Sequence, residues 1–122
     1  MNFFLYRAPE SNVSWIPAVD VVEEPGHFLV RADLPGVDPK DVEITAEAGV
    51  LTLRGKREAV KRDEKAEYER VERVAGTFVR RFTLPDRAQA EAITARQVNG
   101  VLEVTIPKQP KLQPRRIEVQ AA

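Results

Sequence analysis

Ala95-Arg96-Gln97-Val98-Asn99-Gly100-Val101-Leu102 holds the sharpest structural signal in this 122-residue chain. A two-residue type I′ turn requires positive φ at both central positions, and Asn-Gly meets that need better than almost any other pair. Residues 93–98 and 101–106 on either side read as strands. In the second, Leu102, Val104 and Ile106 share one face while Glu103 and Thr105 share the other. The pattern predicts a two-stranded ribbon with one wet side. On its own, such a ribbon suits the corner of any β-sandwich.

Outward from the hairpin the period of two recurs. Residues 76–85 read as a strand ending at Pro85, with Phe78, Arg80, Phe82 and Leu84 on one face. An arginine thus sits on the apolar side, where an unpaired guanidinium is costly. Either Arg80 meets carboxylates or backbone carbonyls, or the strand bends and lets it reach water. Residues 86–92 suit a helical turn. Upstream, 28–34 (Phe28, Val30, Ala32 and Leu34 on one face), 42–47, and 50–56 (Leu51 and Leu53 inward) alternate in the same way. Pro25-Gly26, Pro35-Gly36 and Ala48-Gly49 turn the chain between them. Pro17 confines 15–21 to an edge strand or a strand entrance, and Trp15 reads as a packing residue. Short strands separated by Gly and Pro turns predict an all-β, immunoglobulin-like antiparallel β-sandwich.

Three segments depart from this rhythm. Twelve of the seventeen residues in 57–73 are charged, with no Gly or Pro, so propensity alone predicts a solvated helix. Such a helix has no apolar stripe to dock it. After the hairpin, Pro107, Pro110 and Pro114 keep the chain extended, and Lys108, Lys111, Arg115 and Arg116 keep it wet. Ile117-Glu118-Val119 then presents two β-branched knobs on one side of an extended segment: a last strand of the chain's own sheet, or knobs for holes elsewhere. At the other end, Phe3, Phe4, Leu5 and Tyr6 are four large apolar side chains in a row. They either fold back on the core or make a sticky segment for other chains. The organisation expected is an arm (1–14), a sandwich domain (15–107) and a tail (108–122).

Composition narrows the chemistry. Nineteen basic and nineteen acidic side chains give zero net charge, which argues against nucleic acid or an anionic membrane as partner. Without cysteine there are no disulfides, thiolates or Cys-based zinc sites. His27, the only histidine, has no second ligand near it in the sequence, so no metal site is expected. The six glycines sit singly, so no phosphate loop is formed and no cofactor is expected. Ser11 and Ser14 have a single histidine to share, which does not assemble a catalytic triad. The many carboxylates leave a paired-acid hydrolase formally open, but they alternate with Lys and Arg as on a solvated face. The reading is a non-enzyme without catalytic residues. With no apolar run long enough for a membrane and no signal-peptide pattern, the cytoplasm is expected.

The string A-x-x-x-N-G-V-L at 95–102 resembles the signature of the α-crystallin domain, and the chain resembles a small heat shock protein of the bacterial and plant type. Two further markers follow the family pattern: F-x-R-x-F-x-L-P at 78–85 and Ile117-Glu118-Val119 in the tail. W-x-P-x-V-D-V at 15–21 and A-D-L-P-G-V at 32–37 also resemble the family, so the likeness covers residues 15–119. It implies that 57–73 is not a helix but a long loop carrying a strand exchanged with a neighbouring subunit, for which Tyr68-Glu69-Arg70-Val71 is the best match. It implies a dimer contact involving Tyr68, Val71 and Arg80. It implies that Ile117 and Val119 dock in a groove at the sandwich edge of another dimer, with Val42, Ile44 and Ile93 as candidates for part of that groove.

The activity implied is that of an ATP-independent chaperone, a holdase that binds partly unfolded client proteins and keeps them from aggregating. Phe3, Phe4, Leu5 and Tyr6 are one candidate client surface, and the groove vacated by the tail is another. Two docked knobs offer roughly 3–5 kcal/mol before ordering costs, so heat or client competition could release them. Family members usually carry a longer arm than the fourteen residues before Trp15, so the arm is either trimmed here or short; both put large assemblies and strong client binding in question but not the homodimer. The rival expectation is a binding module such as a p23-like co-chaperone, which would need neither an exchanged-strand loop nor a hydrophobic pair in the tail.

Overall fold

The computed structural model describes residues 15–59, 63–110 and 115–122. Seven strands build it: β1 (Val19–Glu23), β2 (His27–Asp33), β3 (Val42–Glu47), β4 (Val50–Arg57), β5 (Gly76–Thr83), β6 (Thr94–Val98) and β7 (Val101–Pro107). Short 3-10 turns at Pro39–Asp41 and Ala90–Ala92 lead into β3 and towards β6. All pairings are antiparallel. One sheet has the order β1-β2-β7-β6 and the other β3-β4-β5.

The two sheets share one core. Phe28, Val30 and Ala32 from β2 and Leu102, Val104 and Ile106 from β7 meet Leu51 and Leu53 from β4 and Phe78 and Phe82 from β5. Each set follows the period of two that the sequence shows, because a strand can bury only alternate side chains on one face. Leu34 and Val37 fill the space beside them from the connection between β2 and β3. On the outer face, Glu103 joins Arg31 (3.8 Å) and Arg96 (3.4 Å) across three adjacent strands. Exposed pairs of this kind contribute tenths of a kcal/mol but favour one register.

The β6–β7 hairpin is the type I′ turn expected from Asn99-Gly100, with φ of 53° and 78°. The Gly100 carbonyl accepts from the Leu34 amide at 2.7 Å, and Gly100 lies so close to Pro35 that a Cβ there would be 3.3 Å from Pro35 Cα. Ala48-Gly49 makes a second turn with both φ positive, 51° and 74°.

Strand boundaries shift slightly from the sequence reading. Pro17 lies outside β1, which is an edge strand beginning at Val19, and Ile93 caps the 3-10 turn while β6 starts at Thr94. The helix that propensity favours for 57–73 is absent among the described residues. Arg57 ends β4, and 58–59 and 63–75 contain no helix. Helix propensity is a few tenths of a kcal/mol per residue and needs a docked apolar face to prevail, which this segment lacks.

Candidate functional site

The outermost strands are β1 and β6 in one sheet and β3 and β5 in the other. The outermost strand of a sheet is a natural place for another chain to add. Val42 and Ile44 lie on the β3 edge, and Ile93 lies immediately before the β6 edge. All three are half-buried and pack against the core. The inward orientation of Val42 and Ile44 follows from register, since Ile44 pairs with Leu53 and Val42 with Gly55. Gln97 of β6 donates through Nε2 to the Val37 carbonyl at 2.7 Å, tying the β6 edge to the segment that leads into β3. Its Oε1 is buried and has no hydrogen-bond partner among the described residues. A buried acceptor left in that state costs about 1–3 kcal/mol. Nothing in the sequence pattern singles Gln97 out.

Residues 115–122 belong to no strand. Ile117 and Val119 are 75% and 95% exposed. The reading of Ile117-Glu118-Val119 as a last strand of the chain's own sheet is therefore set aside. The chain after β7 is held by a set of contacts that sequence reasoning missed. Lys108 donates through its amide to the Gly26 carbonyl at 3.0 Å. Its ammonium, on a nearly buried stem, is 2.8 Å from Glu23 Oε1 and 4.9 Å from the Phe28 ring centre. Gln109 donates to the Arg87 carbonyl at 2.6 Å. Lys108→Met keeps the stem but removes the charge from a partly shielded pair, and is expected to cost about 1 kcal/mol in a urea melt. An unchanged midpoint would show that water satisfies Glu23 equally well.

The segment between β4 and β5 bounds an open hollow of about 610 Å³ lined by Tyr68, Val71 and Val74 together with Gly36, Arg57 and Arg73. Tyr68, Val71 and Val74 are each about half exposed, the apolar minority of a charged loop. Arg80 faces inward opposite Leu53, as its period requires, and donates through Nη1 to the Pro17 carbonyl at 2.8 Å. Its guanidinium carbon is 5.1 Å from the Phe82 ring centre. Of the expected partners, a backbone carbonyl is thus one that it meets. Phe3, Phe4, Leu5 and Tyr6 lie outside the described residues.

Among the described residues, no three His, Asp or Glu side chains gather where a metal ion could be held. His27 faces Glu24 across a turn at 3.5 Å. Among the same residues, no helix is long and apolar enough to cross a membrane.

These features define a class: an antiparallel β-sandwich with a charged, apolar-lined loop between β4 and β5 and an exposed apolar pair on a segment outside both sheets. The chain belongs to the Hsp20/alpha crystallin family, whose pattern matches residues 20–120. It is 41% identical over 109 residues to Spore protein SP21 of Stigmatella aurantiaca, covering 89% of this chain and 64% of that protein. It is 44% identical over 91 residues to a 16.9 kDa class I heat shock protein of Oryza sativa, covering 74% of this chain and 61% of that one. It therefore spans less than two thirds of the length of both relatives. The structure of a small heat-shock protein from Xylella fastidiosa superposes with a TM-score of 0.80 at 44% identity, covering 89% of this chain and all of that one.

Proposed function

We propose that this chain is an ATP-independent holdase that captures partly unfolded proteins and keeps them from aggregating. Family membership supports a chaperone role, and the particular observation that carries the reading is the exposed pair Ile117 and Val119 on a segment outside the sandwich. A soluble chain gains nothing from two bare β-branched side chains unless they are covered part of the time. In this reading the tail pair docks in an edge groove lined partly by Val42, Ile44 and Ile93 of another dimer. The loop strand around Tyr68 and Val71, with Arg80, joins the two subunits of the homodimer. Phe3, Phe4, Leu5 and Tyr6 and the vacated groove offer apolar surface to clients. The protein works in the cytoplasm as a homodimer or a higher homo-oligomer, without cofactor, catalysis, nucleic acid or membrane. The match to the Hsp20/alpha crystallin family favours this over a p23-like co-chaperone.

The test is the turbidity of a heat-labile protein warmed with and without this chain, no ATP added. Suppression that grows with the ratio of subunits to client is expected, because each subunit offers only a few apolar side chains. Equal turbidity in both samples would remove the holdase reading.

A further inference from the structure

We propose that Arg57 is the positioning residue of the loop between β4 and β5, and that it fastens the base of that loop to the root of the N-terminal arm. The inference rests on the reading of this loop as the dimer contact.

Arg57 is the last residue of β4, where the loop begins, and Val74 lies two residues before β5, where the loop ends. Arg57 Nε donates to the Val74 carbonyl at 2.8 Å, and Nη2 donates to the same oxygen. Nη1 donates to the Pro35 carbonyl at 3.1 Å. The guanidinium carbon sits 4.3 Å from the centre of the Trp15 ring. Trp15 is itself fixed: its Nε1 donates to the Gly76 carbonyl at 3.0 Å, its amide to the Thr77 carbonyl at 3.3 Å, and its ring meets Phe78 edge-on at 5.2 Å.

One planar side chain thus joins both ends of the loop, the turn after β2, and the residue at which the arm enters the domain. Only a guanidinium does this. It has a fork of donors for two carbonyls and a flat face for an aromatic ring, whereas an ammonium offers a point charge. Closing a loop at its base removes chain entropy from everything between the ends, so Tyr68 and Val71 are presented from a fixed frame. The hollow they line includes Arg57 itself. Because Trp15 forms the floor of the latch, any pull on the arm is felt at the same guanidinium.

Trp15 is the only tryptophan in the chain, so its fluorescence reports the latch directly. The experiment compares the full chain with Arg57→Met at a temperature where far-UV circular dichroism shows both folded. Three readouts are taken: Trp15 emission, the rate of trypsin cleavage after Arg70 and Arg73, and the dimer dissociation constant by analytical ultracentrifugation. The expected result is red-shifted emission, faster loop cleavage and a dimer weakened about tenfold or more.

A shifted emission with unchanged cleavage and dimer affinity would overturn the proposal, because Arg57 would then only cover Trp15. Unchanged emission would overturn it by removing the stack. Should Arg57→Met fail to fold, Arg57→Lys takes its place with the same outcomes expected, since lysine keeps the charge but not the fork. If the parent chain is monomeric at every concentration, the dimer reading fails on its own, and cleavage rate with emission still decides whether Arg57 holds the loop.

Discussion

Gly55→Ala is expected to lower the stability of the domain by about 3 kcal/mol, a loss at the upper end of what overpacking a core by one carbon costs. Gly55 sits in the interior of β4, paired with Val42 on one side and Phe78 on the other. A Cβ there would lie 2.7 Å from the Asp41 carbonyl oxygen and 2.7 Å from both Cε2 and Cζ of Phe78. Neither neighbour can yield easily. Asp41 is backbone at the end of a 3-10 turn, and Phe78 is fully buried with Trp15 packed edge-on against it. For a domain of this size the loss corresponds to a fall of roughly 15 °C in Tm. Two glycines serve as controls. A methyl on Gly26 would have nothing within 4 Å of it, and φ there is ordinary, so Gly26→Ala should be nearly neutral. Gly49 has open space but φ of 74°, so Gly49→Ala should cost about 1 kcal/mol from backbone strain alone. If Gly55→Ala melts within a few degrees of the parent, the Phe78 ring is free to move and the core is looser than its packing implies.

Gly55 also marks the boundary of what the sequence reveals. The alternation through 28–34, 50–56 and 101–106 is legible because a strand has a period of two and one face must be dry. Asn99-Gly100 is legible because its turn type depends on two adjacent residues. Arg80 on the apolar face is visible by the same count. Its Pro17 partner is not, since a carbonyl 63 residues away leaves no mark on side-chain pattern. The same blindness hides Lys108 against Glu23, 85 residues apart, and Arg57 against Val74 and Pro35. Gly55 reads only as a glycine in a strand, because the ring that excludes a methyl belongs to β5. The segment 57–73 misleads in the opposite direction: its local preference is real, but no surface exists for a helix to rest on. Resemblance to a family corrects that reading where propensity does not.

Ile117→Ala combined with Val119→Ala should leave the domain folded and shrink the assembly towards dimers. The first half follows from exposure. At 75% and 95% exposed, the two side chains contribute almost nothing to the isolated fold, so trimming them removes contact with water and little else. The second half follows from what covering them is worth. Burying two β-branched side chains supplies roughly 3–5 kcal/mol, and alanine retains only a fraction of it, so each tail contact should weaken by about two orders of magnitude. A neutral chain has little charge repulsion holding copies apart, so the apolar tail contact is the natural control point for size. Light scattering of parent and double variant at equal concentration reads the result. A peptide of residues 115–122 added in excess should reduce the parent's mass as well, because it competes for the same groove, and should leave the variant's mass where it is. An unchanged mass for the double variant would locate assembly elsewhere, in the arm or the loop. Val42, Ile44 and Ile93 would then be ordinary core flank rather than a docking groove.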